Sequence, residues 1–391
     1  MPEAVVILAQ SGRALAQAAR RAGLRPYVAD LFGDEDTQAS AEAWRPLRGG
    51  FGGSLCRATA LQAAGELAGL AGQNLVGLIL GSGFESAPTL VAELARRRPL
   101  LGADAFLVEW LKDPLRLERL LLELGIPHPP LSLEAVPRPE GWLCKRVGGS
   151  GGGHIRPASR GAPPRGSYLQ KRVMGRPVSV GFLADGSACE ILGFTEQWTA
   201  PSRSAPFRYG GAVIPAPLDP AVAVGMAEAV RDIVRATGLR GLTSADCLVE
   251  ETGWWLLEIN PRPGATLDLL DRRSTPLLRR HIEACTGRFG EPESAPAKAV
   301  AQEILYARRT IRAVPDLCWA GFVADRPRPG SRIVAGAPIC TVGADGMTAG
   351  MARERLRERS AAVRAILEQE GQEDDLGRTA PERERFGCAP C

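Results

Sequence analysis

The first hundred residues alternate between short apolar runs and segments whose apolar positions recur at helical spacing. The runs at residues 5–9, 26–29 and 76–80 have the length and composition of buried strands. Helical spacing follows or separates them at residues 15–21, 58–71 and 90–97. This order predicts βαβ units and therefore a small, open, parallel α/β domain over residues 1–110. The turn after the first run lacks the G-x-G-x-x-G pattern, so a dinucleotide fingerprint is absent.

The pattern then changes from helix-rich to strand-rich. We predict an amphipathic helix over residues 111–124, a proline-rich connection to residue 139, and a long helix over 221–237 that ends at Gly238. The predicted strands of this part cover residues 142–147, 167–173, 178–183, 190–195, 244–250 and 254–259. The last two strands form a hairpin. We assign residues 111–289 to one central domain.

The C-terminal residues have a weaker pattern. Strand-like pieces near residues 303–306 and 333–334 and a final amphipathic helix over 351–370 predict a small section over residues 290–370. Residues 371–391 are charged and proline-containing, and we expect a mobile tail. Its Cys388 and Cys391 form a lone C-x-x-C, which is weak evidence for a metal site.

Composition indicates a soluble globular protein. Of 391 residues 45% are hydrophobic, but no apolar run approaches a membrane span and the N-terminus does not have the pattern of a secretory signal. Nine scattered cysteines favour reduced thiols, and the net charge of +4 forms no basic stripe with interleaved aromatics. We therefore expect a cytoplasmic protein without nucleic-acid or membrane partners, and consider a homodimer as its assembly.

Three oxygen donors fall together on the predicted C-terminal hairpin of the central domain. Glu258 and Asn260 are two residues apart and therefore point to one face of a strand, and Asp246 lies on the neighbouring strand. Two carboxylates and an amide oxygen suit magnesium, which bridges proteins to substrate phosphates. Without further context, a solvated polar face of a hairpin explains the same residues.

A run of small residues supplies that context. Gly148, Gly149, Ser150, Gly151, Gly152 and Gly153 follow a strand that contains Lys145. Backbone N–H groups of such a loop can close over phosphate oxygens while a cation at its base attracts the anion. A disordered linker is the alternative. The run also satisfies G-x-S-x-G, but the prolines after Ser150 disfavour the helix that a hydrolase serine requires.

Lysine is scarce in this chain, and its positions are informative. Only Lys112, Lys145, Lys171 and Lys298 occur among 48 basic residues. A compact ammonium suits phosphate oxygens approached as a point charge.

These motifs, in this order, resemble the ATP-grasp superfamily over residues 1–290. Lys112 precedes a Gly-Ile-Pro-His-Pro turn, Lys145 precedes the glycine flap, and residues 257–262 are close to the signature E-I-N-x-R. The resemblance implies an ATP-grasp fold with an N-terminal Rossmann-like pre-ATP-grasp domain and a small C-terminal α+β section. It also implies ATP with Mg²⁺ or Mn²⁺ as cofactors. The residues of the implied sites are Lys112, Lys145 and the flap for phosphates, Gln170, Lys171, Arg172 and Val173 for adenine, Asp246, Glu258 and Asn260 for metal, and Arg262 with Lys145 for catalysis.

The implied activity is an enzyme that joins a small carboxylate to an amine through an acyl phosphate, releasing ADP and phosphate. Residues 195–197 and 207–211 resemble the branch of tyramine–glutamate ligase and of one-carbon-cofactor (methanopterin and methylofuran) synthesis. This suggests the addition of glutamate and makes Arg203, Arg208 and Tyr209 candidates for substrate contact. A biotin-carboxylase-like carboxylase and a non-catalytic ATP-binding regulatory or assembly protein are the alternatives.

Overall fold

The computed structural model describes residues 2–251, 253–294 and 296–373, with side chains of the final helix described to Leu367. The expectations for Cys388, Cys391 and most of the predicted tail fall outside these residues. No helix in the described part of the chain combines the length and apolarity needed to cross a bilayer.

Four parallel strands form the N-terminal sheet in the order β3-β2-β1-β4. The strands are β1 (Ala4–Leu8), β2 (Arg25–Asp30), β3 (Ala43–Pro46) and β4 (Leu75–Leu80), and the helices are α1 (Arg13–Arg21), α2 (Glu35–Ser40), α3 (Arg57–Ala71) and α4 (Pro88–Ala95). The parallel α/β prediction is therefore confirmed. The sequence did not predict β3, because this short edge strand is only partly buried and has no continuous apolar run.

The single helix predicted over residues 111–124 is wrong, because the chain breaks at Asp113. Helix α5 (Ala105–Lys112) ends there and α6 (Pro114–Glu123) begins. The Asp113 carboxylate accepts hydrogen bonds from the backbone N–H groups of Leu115 at 3.0 Å and Arg116 at 3.2 Å. Proline is favoured in the first turn of a helix but disrupts a helix interior, so Pro114 starts a new helix. Lys112 consequently lies at a helix C-terminus.

The central part of the chain forms two antiparallel sheets. The small sheet has the order β5-β8-β6-β7, with β5 (Leu131–Ser132), β6 (Trp142–Arg146), β7 (Arg156–Pro157) and β8 (Ser167–Lys171). The large sheet has the order β13-β12-β9-β10-β11-β14-β16-β15. Its strands are β9 (Arg176–Asp185), β10 (Cys189–Thr199), β11 (Tyr209–Ile214), β12 (Arg240–Val249), β13 (Trp254–Asn260), β14 (Ala299–Tyr306), β15 (Val323–Ala324) and β16 (Pro338–Gly346).

Helices cover the large sheet on both faces. They are α7 (Pro220–Thr237), α8 (Leu267–Leu270), α9 (Leu277–Cys285) and α10 (Ala349–Glu373). One core joins α5, α6 and α7 to one face of β9, β12 and β13. Another core joins α1 and β1 of the N-terminal part to α8, α9 and the opposite face. The N-terminal sheet therefore packs firmly beside the strands that hold the candidate site.

The C-terminal strands extend the same large sheet, since β14 pairs with β11 and with β16. The expected strand-like piece at residues 333–334 forms only an isolated bridge between Ile311 and Ile333. Strand β16 was not predicted, because its residues alternate weakly and include two glycines.

Candidate active site

The antiparallel pair β12 and β13 brings together the three predicted metal ligands. Asp246 lies directly opposite Glu258 in the register, and a bulge follows Asp246. The Asn260 amide donates a hydrogen bond to the Asp246 carboxylate at 2.9 Å. Ser179, on the other neighbouring strand β9, donates to the same carboxylate at 2.7 Å. The hairpin therefore presents two carboxylates and an amide as one cluster.

The two carboxylates of this cluster titrate very differently. Burial, with the negative charge of Glu258, raises the pKa of Asp246. Burial also acts to raise the pKa of Glu258, but the ammonium groups of Lys112 and Lys145 outweigh it, so the net shift is downward. Glu258 is therefore ionised at neutral pH. Two carboxylates that repel each other in a partly buried position attract cations.

Lys112 meets this cluster from the end of helix α5. Its ammonium donates hydrogen bonds to Asn260 Oδ1 at 2.9 Å and to Glu258 Oε2 at 3.2 Å, and its side chain is 5% exposed. Because α5 ends at Lys112, this lysine lies at the helix C-terminus, from which it reaches Glu258 and Asn260. Of the two sequence-predicted phosphate lysines, this one pairs directly with the carboxylates.

Lys145 approaches from the small sheet. It lies opposite Tyr168 in the β6–β8 register and is buried. Burial lowers the pKa of its ammonium, while Glu258 and Asp246 act to raise it. Among the described residues none accepts a hydrogen bond from its Nζ. A buried ammonium without a fixed partner, beside carboxylates, is available to an anionic ligand.

The cluster fits magnesium by its chemistry. The carboxylates of Asp246 and Glu258 lie opposite each other and are only partly open to solvent, and a divalent cation would relieve their repulsion. Asn260 Oδ1 presently accepts from Lys112, so metal binding would require this amide or this ammonium to reorient. Within the described residues, no group of three or more His, Cys, Asp or Glu side chains forms a metal cluster. Two carboxylates and an amide suit a magnesium that takes its other ligands from phosphates and water.

The glycine flap is folded against the rest of the protein. Gly148, Gly151 and Gly152 have φ values of 66°, 65° and 69°, which a side chain would strain. A Cβ at Gly148 would lie 2.6 Å from the Glu85 carbonyl oxygen, and one at Gly152 would lie 2.0 Å from that of Phe207. The flap therefore contacts the N-terminal part on one side and the segment that precedes β11 on the other.

The hydrolase alternative for Ser150 finds no support in this geometry. Turns follow Ser150, and the next element is the two-residue strand β7. A nucleophile elbow requires a helix at that point.

His154 is a polar residue at this site that the motifs did not select. Its ring packs on Gly149, since a Cβ there would lie 2.4 Å from the imidazole. Its Nδ1 is buried and has no hydrogen-bond partner in the described part of the chain. Burial lowers the pKa of this imidazole, so it is neutral at pH 7. Scarcity of histidine, with only three in the chain, was the available signal.

Glu85 is the second residue that sequence reasoning missed. It follows β4 and forms an ion pair with Arg262, with 2.7 Å between Glu85 Oε1 and Arg262 Nε. Burial acts to raise the pKa of Glu85, but Arg262 and Lys112 lower it overall, so the carboxylate is ionised. Arg262 lies two residues after the end of β13. The pair thus links the carboxyl ends of two strands from different sheets, and only tertiary packing could reveal it.

Of the four residues predicted to contact adenine, two lie on opposite faces of the small sheet and two follow its strand β8. Gln170 lies opposite Leu143, so it shares the face of Lys145, and it is buried. Lys171 lies opposite Trp142 on the other face, with its ammonium 5.6 Å from that ring centroid. Arg172 is exposed and its guanidinium lies 5.9 Å from the Phe207 ring. Val173 follows the strand and is partly buried.

The three candidate substrate contacts are not equivalent. Arg203 is exposed. Arg208 donates to the carbonyl oxygens of Ala200 at 2.9 Å and Gly336 at 2.8 Å, so its guanidinium is engaged within the fold. The Tyr209 hydroxyl is buried without a hydrogen-bond partner among the described residues, and the Tyr209 N–H donates to the flap at Gly151, 2.9 Å away. Of the three, Tyr209 is the one joined to the flap.

Comparisons with known proteins agree with this geometry. A model of the ATP-grasp domain family matches residues 111–266, the part that contains the lysines, the flap and the carboxylates. L-amino acid ligase from Bacillus licheniformis is similar at 14% identity over 92% of this chain and 97% of that chain, with a TM-score of 0.68. Biotin carboxylase from Campylobacter jejuni is similar at 14% identity over 90% of each chain, with a TM-score of 0.67.

A third structure extends the same likeness. N5-carboxyaminoimidazole synthetase from Staphylococcus aureus shares 13% identity over 92% of this chain and 98% of that chain, with a TM-score of 0.63. At these identities the likeness establishes the fold. The prediction of an ATP-grasp fold with an N-terminal parallel α/β part is confirmed. The tyramine–glutamate ligase branch stays a prediction.

Proposed function

We propose that this ATP-grasp enzyme is an ATP-dependent carboxylate–amine ligase that activates the acid as an acyl phosphate. The observation that carries the proposal is the partly buried cluster of Asp246, Glu258 and Asn260, with Lys112 bonded to it and Lys145 beside it. Two ammonium groups and two carboxylates in one small volume suit Mg-ATP phosphates. We further propose glutamate as the acid, in the synthesis of a one-carbon cofactor.

The residues divide the work of the first step. Lys112, Lys145 and the N–H groups of the flap hold the phosphates, and the face of the small sheet with Gln170 borders the nucleotide. Magnesium, when bound by Asp246, Glu258 and Asn260, supplies charge neutralisation at the transferred phosphoryl group. The substrate carboxylate attacks the γ-phosphorus in line, the bond to the β–γ bridging oxygen breaks, and ADP leaves. Positioning and charge compensation provide most of the catalysis in such transfers.

Arg262 and the flap act in the second step. The Arg262 guanidinium holds the acyl phosphate, because its planar group matches carboxylate and phosphate oxygens. The amine attacks the acyl carbon, an amide bond forms, and inorganic phosphate departs. Flap contacts with Glu85 and Phe207 exclude water from the intermediate.

The test is an incubation of the protein with Mg-ATP, glutamate and a pool of biological amines. ADP, AMP and phosphate are followed, and products are identified by mass spectrometry. We expect ADP, phosphate and a new amide product to form in equal amounts. Formation of AMP instead would contradict the acyl phosphate.

A matched pair of variants assigns the activity to the cluster. Glu258→Gln removes the proposed metal ligand, whereas Glu250→Gln changes a glutamate of the same hairpin whose carboxylate accepts a hydrogen bond from the Trp255 indole, 2.9 Å away. We expect ADP formation to be lost with Glu258→Gln and retained with Glu250→Gln. Equal rates in both would overturn the metal assignment.

A carboxylase is the second candidate, because the fold of biotin carboxylase covers 90% of this chain. Bicarbonate-dependent ADP formation that requires free biotin, in place of glutamate-dependent formation, would favour it.

A further inference from the structure

Arg262 is held by one nitrogen only. Its Nε donates to Glu85 at 2.7 Å, and among the described residues no hydrogen bond is recorded for either terminal nitrogen. Its side chain is 14% exposed. The end of the guanidinium therefore remains open to a ligand, which the proposed function identifies as a carboxylate or phosphate.

Glu85 is held in turn by two donors. One carboxylate oxygen accepts from Arg262, and the other accepts from the Gly83 N–H at 2.7 Å. The Glu85 side chain is 3% exposed, so water does not replace either contact. Both partners are donors, and a carboxylate is the side chain that can accept from both at once.

The backbone of Glu85 also supports the flap. Gly148 approaches so closely that a Cβ would lie 2.6 Å from the Glu85 carbonyl oxygen and 2.6 Å from Ser86 Cα. One residue of the N-terminal part therefore touches the flap with its backbone and Arg262 with its side chain.

We propose that Glu85 is the positioning residue that fixes the open end of Arg262 toward the reacting acyl group while the flap rests on its backbone. The inference depends on the proposed function for the identity of the ligand. Glu85 itself need not touch the substrate.

Glu85 could instead act only as a counter-charge to Arg262, and the two roles predict opposite effects of Glu85→Gln on anion binding. If Glu85 only damped the charge of Arg262, its replacement by glutamine would strengthen the binding of an anion. If Glu85 positions Arg262, Glu85→Gln weakens it, because the new amide N–H₂ faces a donor on one side. Glu85→Asp keeps the charge but withdraws the carboxylate by one methylene, so only the positioning role predicts a loss there.

The first measurement is ATP formation from Mg-ADP and acetyl phosphate. In this reverse of the activating step, the P–O bond to acetate breaks, a P–O bond to the β-phosphate of ADP forms, and acetate leaves. We expect kcat/KM for acetyl phosphate to fall on the order of 100-fold in Glu85→Gln and in Glu85→Asp. The KM for ADP should be unchanged.

The control is Glu190→Gln, which breaks another buried arginine–glutamate pair far along the chain, Arg280 with Glu190. It should lower thermal stability without changing KM for acetyl phosphate. The proposal would be overturned if Glu190→Gln showed the same loss of kcat/KM, or if Glu85→Gln showed a lower KM for acetyl phosphate than the wild type.

Inorganic phosphate binding at saturating Mg-ADP separates this inference from the proposed function. Weaker phosphate binding in both Glu85 variants would keep the positioning role even if the wild type forms no ATP from acetyl phosphate, whereas the acyl-phosphate chemistry with glutamate is decided by the ligase assay. The positioning role would be overturned if phosphate bound the wild type and both Glu85 variants with equal affinity, or if it did not bind the wild type.

Discussion

Two buried arginine–glutamate pairs in this protein are built differently. Arg280 donates both terminal nitrogens to the Glu190 carboxylate, one of them at 3.2 Å, and donates also to the Glu291 carbonyl oxygen at 3.3 Å. Arg262 donates only Nε to Glu85. Arg280 and Glu190 are 4% and 6% exposed, whereas Arg262 is 14% exposed.

The difference separates a closed pair from an open one. The bidentate pair uses the terminal nitrogens within the fold and connects α9 to β10, so its contribution is structural. The monodentate pair fixes the direction of a guanidinium and leaves its end available. The charges of the two pairs are the same, so the pairs differ in how many guanidinium nitrogens are used within the fold and in the greater exposure of Arg262.

The largest expected effect is that of Arg262→Lys. Lysine keeps the charge but loses the planar group, so we expect kcat/KM for the ligase reaction to fall on the order of 100- to 1,000-fold. The unfolding midpoint should change little. Arg280→Lys should give the reverse, a lower midpoint with unchanged kinetics of the folded enzyme. The comparison fails if both variants lose activity and stability together.

Glu190→Gln tests the closed pair by stability. Removing one charge leaves Arg280 buried without its counter-ion, which should lower the free energy of unfolding by about 3 kcal/mol. Denaturant unfolding followed by tryptophan fluorescence measures this. A change below about 1 kcal/mol, as for exposed ion pairs, would remove the distinction from surface salt bridges.

Helix α9 carries Arg280 of the closed pair and also His281, whose titration should make the stability of the protein depend on pH. His281, beside Arg280, accepts from the Leu242 N–H at 2.8 Å and contacts the Leu101 carbonyl oxygen at 3.1 Å, and burial lowers its pKa to about 4. Between pH 4 and 6.5 the unfolded chain binds a proton that the folded protein does not, so stability falls as pH falls. At pH 5 the loss from this group should be about 2 kcal/mol.

His281→Gln isolates that contribution, because glutamine does not titrate. The free energy of unfolding should drop by about 2 kcal/mol less between pH 7 and pH 5 in the variant than in the wild type. An identical drop in both proteins would show that His281 titrates normally.

The smallest expected effect concerns the flap over the open pair. Gly148→Ala places a Cβ against the Glu85 backbone, whereas Gly151→Ala shares its positive φ but meets nothing within 4 Å. Relative to Gly151→Ala, we expect Gly148→Ala to lower kcat/KM by about tenfold, or about 1.4 kcal/mol. Equal kinetics of the two variants would show that flap contact with Glu85 is unimportant.

Much of the fold follows from local pattern. The parallel N-terminal strands, helix α7 with its Gly238 end, and the β12–β13 hairpin were predictable because apolar periodicity and turn residues agree there. Strands β3 and β16 and helix α9 were not, since their residues are partly exposed, glycine-containing or rich in arginine. The break at Asp113 was missed although Pro114 marks it.

The candidate site divides in the same way. Motif spacing selected Lys112, Lys145, Asp246, Glu258 and Asn260, and the structure brings them together. Glu85 and His154 were not selected, because neither stands in a spacing pattern with its partners. Lys171 shows the opposite case, a residue chosen by motif whose side chain lies on the face away from Lys145.

The sequence by itself determined which residue types are available and which strand faces they occupy, because periodicity within one element fixes side-chain direction. It therefore determined the carboxylate–amide cluster of a single hairpin. Tertiary structure alone decided that Glu85 meets Arg262, which is 177 positions away in the chain, and that Gly148 lies on Glu85. Such contacts depend on how separate sheets pack against each other, and no local sequence pattern specifies that packing.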